Sequence, residues 1–268
     1  MISLFAVVFF IFGLIIGSFL NVVIFRLNTK RSFGGRSGCM SCLNKLSWYE
    51  LIPLFSFLGL KGRCRNCKSK ISIQYPLVEF VTGIVFAFLF LRLFASGGQN
   101  SFLTLPFIIT YTYYAITFSL LMVISVYDLR HKIIPDSLAF IFGALAFLGL
   151  FFFHGGNFYW QMPSILEFLS GFLIALPFAF FWFVSSGRWM GLGDAKLALG
   201  IGWLLGFVGA LSGLVIAFWS GALVGICLII FKSSKTSRLG MKSEIPFAPF
   251  LVFGAFLVFI FGLNLFGL

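Results

Sequence analysis

Residues 103–136 read LTLPFIITYTYYAITFSLLMVISVYDLRHKIIPD. From Leu103 to Tyr127 there is no Asp, Glu, Lys or Arg. Asp128, Arg130, His131, Lys132 and Asp136 then follow in quick succession. A run of that length suits a helix crossing a hydrocarbon core, which takes about 20 apolar residues. The abrupt return of charge marks where such a helix leaves the core. An ionised aspartate deep in a bilayer costs roughly 2.5–3.5 kcal/mol, so acids in such spans usually line a functional cavity.

The same pattern recurs on either side. Apolar runs cover 2–25, 77–95, 137–153, 164–184, 195–211, 213–231 and 247–266, which with 103–127 makes eight. Residues 195–231 are the least divided, being rich in glycine with no charge from Leu197 to Phe231. Two short spans turning near Gly209–Gly213 fit best; one long tilted helix is the alternative. The opening MISLFAVVFF has no basic region before it and no small-residue cleavage site leading into a polar chain. It therefore reads as a retained span, not a secretory signal. Composition agrees: 60% of residues are hydrophobic, 10% are charged and the mean hydropathy is +1.09. Soluble chains carry about 25% charged residues. The expected fold class is an all-α polytopic membrane protein. It has about eight transmembrane helices and a small cytoplasmic four-cysteine zinc-binding loop domain. The expected divisions are 1–25 as the first span, 26–75 as the loop and 76–268 as the membrane core.

The net charge of +12 would suggest a nucleic-acid partner if it formed one basic face. It does not. Ten of the 19 basic residues fall between Arg26 and Lys70, against the single acid Glu50. Most others sit in short segments between apolar runs: Arg130 and Lys132, Arg188 and Lys196, and Lys232, Lys235, Arg238 and Lys242. Segments 96–102 and 154–163 have none, although Arg92 lies just inside the preceding span. This alternation is the positive-inside pattern. It places the basic segments in the cytoplasm, both termini outside, and membrane lipid rather than nucleic acid around the chain.

The basic loop holds Cys39-x-x-Cys42 and Cys64-x-x-Cys67, with 21 residues between the pairs. Each pair brackets a tight turn that can aim two thiolates at one ion, and two pairs complete a tetrahedral zinc site. A reducing cytoplasm disfavours the alternative of two disulfides. Four protein ligands leave no open position, so the zinc is structural. A loop this small and polar would draw its folding energy from the metal. Cys227, alone in an apolar run, reads as small core filler.

Seven acids exist in the whole chain. Asp128 ends one apolar run and Asp194, in GLGDAKL, begins another. Two spans separate them, so the chain leaves one side and returns to it. The pair can then share a proton, one carboxylate acting as base on a water and the other as acid to a carbonyl. Gly191 and Gly193 would let backbone and substrate approach Asp194 closely. The bland alternative is a pair of solvated loop charges beside Arg and Lys. Asp136 competes with Asp128; in IPD before an apolar run it reads as a helix N-cap, with Ser137 the next candidate. Glu79, in YPLVE, pairs with a basic residue or orients a group in the site. Glu50, Glu167 and Glu244 read as interfacial, and His131 and His154 as solvated loop histidines.

Six segments, in this order, resemble the bacterial prepilin peptidases, the type IV leader peptidases. They are GSFLNVVIFR at 17–26, CMSC with LSWYELIPLFSFL, GRCRNC with ISIQYPLVE, DLRHKIIPD at 128–136, MGLGDAKL at 190–197 and EIPFAPFL at 244–251. The resemblance spans Gly17 to Leu251. It implies an intramembrane aspartic protease of the GxGD type, with Asp128 and Asp194 as the catalytic acids and zinc on the four cysteines. It also implies a prepilin or pseudopilin precursor as substrate, cut after a short basic leader at the cytoplasmic face of the inner membrane. Many members then methylate the new N-terminus with S-adenosylmethionine, and the four cysteines favour that second activity here. Three positions depart from the family pattern. Met40 stands for a usual proline, Gln74 for a common basic residue and Ala248 for the glycine of PFGPF. A reading of a different class is a non-catalytic membrane assembly factor or transporter that docks a partner through its zinc loop. Transporters often show pseudo-symmetric halves, which this sequence does not.

Overall fold

The computed structural model describes residues 2–29, 34–97, 104–154, 157–232 and 246–267. Lys235, Arg238, Lys242 and Glu244 lie outside the described residues. The chain forms two compact units, Met1–Ala95 and Ser96–Leu268.

In the first unit, α1 (Ile2–Arg26) and α3 (Gln74–Gly97) run antiparallel on either side of a loop carrying the short α2 (Phe55–Gly59). Their closeness is written in GLIIG. A Cβ on Gly13 would lie 2.8 Å from the Cα of Gly83, and one on Gly17 would lie 2.8 Å from the Cα of Glu79. Small residues four apart let two membrane helices bring their backbones together, since lipid supplies no hydrophobic force between them. One turn on, the Asn21 side-chain amide donates to the Tyr75 carbonyl at 3.1 Å. Stacking of Phe9 on Phe90, centroids 4.6 Å apart, closes the other end.

The second unit begins with α4 (Leu105–His131), which Thr104 and Pro106 open and Lys132, at φ 55°, closes. Ile134 precedes Pro135, and a residue before proline is pushed out of helical geometry. The chain then returns as α5 (Asp136–Phe152). The Tyr113 hydroxyl donates to the Leu145 carbonyl at 3.1 Å, so the two helices are antiparallel neighbours. A hairpin of two-residue strands, β1 (Phe153–His154) and β2 (Asn157–Phe158), leads to α6 (Ile165–Ser185). Ser164 and Glu167 form a capping box at its start. Glu167, expected only as an interfacial acid, therefore has a defined structural partner.

The segment α7 (Leu192–Lys232) contains one residue outside helical geometry, Gly206 at φ 71° and ψ 173°. The packing on its two sides runs in opposite senses. Before it, Gly193 meets Ile134, Gly200 meets Phe142 and Trp203 meets Phe147, so this half runs parallel to α5. After it, Gly213 meets Gly254 and Gly221 meets Phe250, so the second half runs antiparallel to α8 (Ala248–Phe261). Since α8 is antiparallel to α4 through Phe118–Phe256 and Asp128–Ala248, the two halves of α7 point in opposite directions. The segment is a helical hairpin. Its break falls at Gly206, earlier than the expected Gly209–Gly213. A left-handed φ favours glycine strongly, and five glycines between 200 and 213 offered it a choice.

Counting α7 as two, the described residues contain eight apolar helical segments. Five helices are long and apolar enough to cross a membrane, and α5 and α8 are shorter at 17 and 14 residues. The chain is thus a multi-pass membrane protein. The last span ends sooner than the expected 266, because Gly262 at φ 61° caps α8.

Candidate active site and metal centre

The topology brings three helix ends to one side of the second unit: the end of α4, the start of α7 and the start of α8. Asp128 lies in the last full turn of α4 and is buried, with 5% of its surface exposed. Asp194 lies in the first turn of α7 and is half-buried. The two carboxylates are close enough to interact electrostatically. They are thus brought together from elements separated by α5 and α6.

Each carboxyl has a backbone donor. The Ala248 N–H donates to Asp128 Oδ2 at 3.3 Å, from the first residue of α8. The Gly191 N–H donates to the Asp194 carboxylate. The turn before α7 is drawn tight, with the Asp194 N–H donating to the Gly191 carbonyl at 3.2 Å. Gly193 is pressed against the 128–136 loop, since a Cβ there would lie 2.8 Å from the Cβ of Ile134. Gly191 meets no such close neighbour; its nearest contacts are at 3.9 Å. Of the two glycines, Gly193 is therefore the one that a side chain would displace.

Asp136 is not with the pair. It sits in the first turn of α5, 80% exposed, and accepts a 2.6 Å ion pair from Lys196. The N-cap position falls on Pro135 instead, because the helix starts one residue earlier than the IPD reading implied. This exposed pair fastens the 128–136 segment to the start of α7, a contact of the kind typically worth about 0.2–1 kcal/mol. His131 stacks on Tyr127, centroids 4.4 Å apart, at the exposed end of α4.

In the first unit, the four cysteine sulfurs lie within 4.8 Å of one another. Cys39 Sγ and Cys67 Sγ, from different pairs, are 3.8 Å apart. Tetrahedral zinc with Zn–S bonds of about 2.3 Å would separate its ligands by roughly 3.8 Å. The donor set and its spacing fit a metal ion.

The two cysteine turns share one backbone plan. The Cys39 N–H donates to the Asn44 carbonyl and the Leu43 N–H to the Cys39 carbonyl; Cys64 with Ser69, and Lys68 with Cys64, repeat this. Leu43 and Lys68 both adopt φ near the left-handed region, at 56° and 59°. The flanking bridges Gly38–Lys45 and Arg63–Lys70 correspond as well. The Ser69 hydroxyl is 3.1 Å from Cys67 Sγ and 3.7 Å from Cys39 Sγ, linking the two turns. The Cys39 thiol is lowered to about 6, chiefly by the Cys42 backbone N–H, and Cys67 is lowered chiefly by the Ser69 hydroxyl. Cys42 is pushed the other way, up to about 11, by burial and by the neighbouring thiols, so the cluster favours the thiolate at Cys39 and Cys67 and opposes it at Cys42.

Glu79 accepts the Leu54 N–H at 2.9 Å, and Ser18 bonds to it as well. Its partners are thus neutral donors, and it anchors the WYELIPL segment on α3. Leu54 has φ 59°, a strained start for α2 that this bond holds. Glu50 closes a box on Ser47, accepting its N–H at 2.7 Å.

Comparison with known proteins follows the same division. Residues 11–93 match the bacterial peptidase A24 N-terminal domain, and residues 115–230 match the type IV leader peptidase family. A prepilin leader peptidase/N-methyltransferase of Myxococcus xanthus (strain DK1622) is 37% identical over 243 residues, covering 90% of this chain and 67% of that protein. Like-named proteins of Aeromonas hydrophila and Bacillus subtilis (strain 168) are also similar. The first is 30% identical, covering 94% of this chain and 89% of the relative. The second is 32% identical, covering 95% and 94%. No solved structure matches.

Proposed function

The chain belongs to the type IV leader peptidase family, and on that premise we propose that it cleaves the basic leader from type IV prepilin or pseudopilin precursors, with Asp128 and Asp194 as the catalytic pair. The supporting observation is the meeting of two acids at one end of a bundle whose described spans are otherwise almost free of carboxylates. One carboxylate takes a proton from a water as its oxygen attacks the scissile carbonyl. The other, protonated, gives its proton to the carbonyl oxygen. Collapse of the tetrahedral species breaks the C–N bond, and the leaving amine takes up a proton. Products are a leader with a free carboxylate and a mature chain with a free N-terminus. The basic loops 26–75 and 128–136 favour the cytoplasmic face of the inner membrane as the place of cleavage.

Zinc is the metal that suits Cys39, Cys42, Cys64 and Cys67, because four thiolates select it and leave no position for a reacting water. It would hold the loop together rather than take part in hydrolysis. The second activity is N-methylation of the new N-terminus, carried by the names of the relatives. S-adenosylmethionine would supply the methyl group, and the amine would lose a proton on accepting it.

The assembly-factor or transporter reading predicts no turnover. Incubating purified chain with a pilin precursor and following the shift to the shorter product separates the two. Cleavage that depends on both aspartates supports the protease; an uncut precursor beside a folded, zinc-loaded chain contradicts it.

A further inference from the structure

Apart from Ser125, the buried serine and threonine hydroxyls on these helices bond to a backbone carbonyl about one turn earlier. Thr82 does so to Val78, Thr110 to Pro106, Thr117 to Tyr113 and Ser212 to Val208, at 2.7 to 3.0 Å. Ser170 reaches both its own helix and Gly202 across to α7. Ser125 breaks this pattern. It is 6% exposed, and its Oγ has no hydrogen-bond partner among the described residues. A buried hydroxyl left unpaired is destabilising, and one that persists calls for an explanation.

Its position supplies one. Ser125 stands three residues before Asp128 on α4, the spacing that places two side chains on neighbouring turns of one face. Helical side chains lean toward the N-terminus, so the Asp128 carboxylate leans over Ser125. Both lie toward α8. Phe118, two turns before Ser125, packs on Phe256, and Asp128 receives the Ala248 N–H. The side chain of Ser125 therefore falls between those two contacts, beneath the reacting pair.

The backbone alone does not distinguish the two acids, since Asp128 has one donor from Ala248 and Asp194 one from Gly191. We propose that Ser125 is a positioning residue: its free hydroxyl donates to the second oxygen of Asp128 as the water is being activated, holding Asp128 as the base and leaving Asp194 as the acid. A hydrogen bond that forms only on the way to reaction acts on turnover and not on binding. The inference rests on the protease reading above.

The test uses full-length, zinc-loaded protein and a pilin precursor, with kcat, KM and thermal midpoint measured for Ser125→Ala and Ser125→Thr. Ser125→Ala should lower kcat by about tenfold, the scale of one hydrogen bond to a charged group, and leave KM unchanged. Its thermal midpoint should stay level or rise, because an unpaired buried hydroxyl has been removed. Ser125→Thr, which keeps the hydroxyl, should retain most of the rate. Wild-type kcat in Ser125→Ala would overturn the inference while the protease reading stood. So would equal loss in Ser125→Thr, or a fall in kcat accompanied by lost stability, which would mark a packing role. Failure of the unaltered chain to cut any precursor would overturn the parent reading, and this inference with it.

Discussion

The N–H of Ala248 donates to the carboxylate of Asp128 at 3.3 Å, joining residues 120 apart in the chain. Ala248 is fully buried at the first position of α8. This bond ties the last helix to the acid at the end of α4. It also accounts for the sequence around it, since position 248 has to be small and has to carry an amide hydrogen.

Replacing Ala248 with proline removes that hydrogen, but it also presses on a fully buried position and on the αR backbone of Phe247, so the thermal midpoint is measured beside cleavage. Ala248→Pro should lower precursor cleavage about tenfold or more, the loss of one charge-assisted bond. Ala248→Gly keeps the N–H and should cut at close to the normal rate. Equal activity in the two variants would show that the bond does not matter to turnover.

Metal content tests the loop. One zinc per chain is expected by elemental analysis, falling sharply in Cys39→Ser and in Cys64→Ser. Ser69→Ala should keep the four ligands but hold the metal less firmly, because its hydroxyl touches the sulfurs of Cys67 and Cys39. Release to a chelator, followed over time, should be faster in that variant. Unchanged zinc in both cysteine variants would remove the site.

Much of this arrangement was legible in the sequence, for reasons that differ by element. Long apolar runs broken by charge have few explanations, so the helices could be read directly. The two C-x-x-C turns announce a shared cluster of four thiols, because each pair brackets a tight turn that aims its sulfurs to one side. Asp128 and Asp194 stood out because so few acids remain in an apolar chain. Other features depend on contacts that no local pattern encodes. Gly206 was one of several glycines that could have taken the turn, and only packing of α7 on α5 and α8 selected it. Asp136 resembled a cap in its own neighbourhood, but Lys196, 60 residues away, is its partner. The amide of Ala248 left no trace at all, since a backbone donor has no side chain by which to be recognised.

The hairpin at Gly206 can be tested by stability. Alanine at φ 71° and ψ 173°, a region essentially confined to glycine, carries a penalty of roughly 1–3 kcal/mol. Nothing crowds the position, so the loss would come from backbone strain. Gly206→Ala should lower the thermal midpoint by a few degrees, whereas Gly209→Ala, in helical geometry, should be much milder. The reverse order would place the turn at the later glycine.

Orientation is tested by reporter fusions after Arg63 and after Asn157. The basic loop should report from the cytoplasm and the uncharged segment from the other side. Both reporters on one side would overturn the orientation, and with it the cytoplasmic placement of cleavage.

The central claim is the carboxylate pair, and the most direct measurement is precursor cleavage by Asp128→Asn, Asp194→Asn and Asp136→Asn, each confirmed as inserted and zinc-loaded. An amide can neither take up nor release the proton the reaction needs, while its size leaves the fold intact. The first two variants should leave the precursor uncut. Asp136→Asn, which touches only the exposed pair with Lys196, should retain most of its activity. Full processing by a well-folded Asp128→Asn or Asp194→Asn would contradict the account.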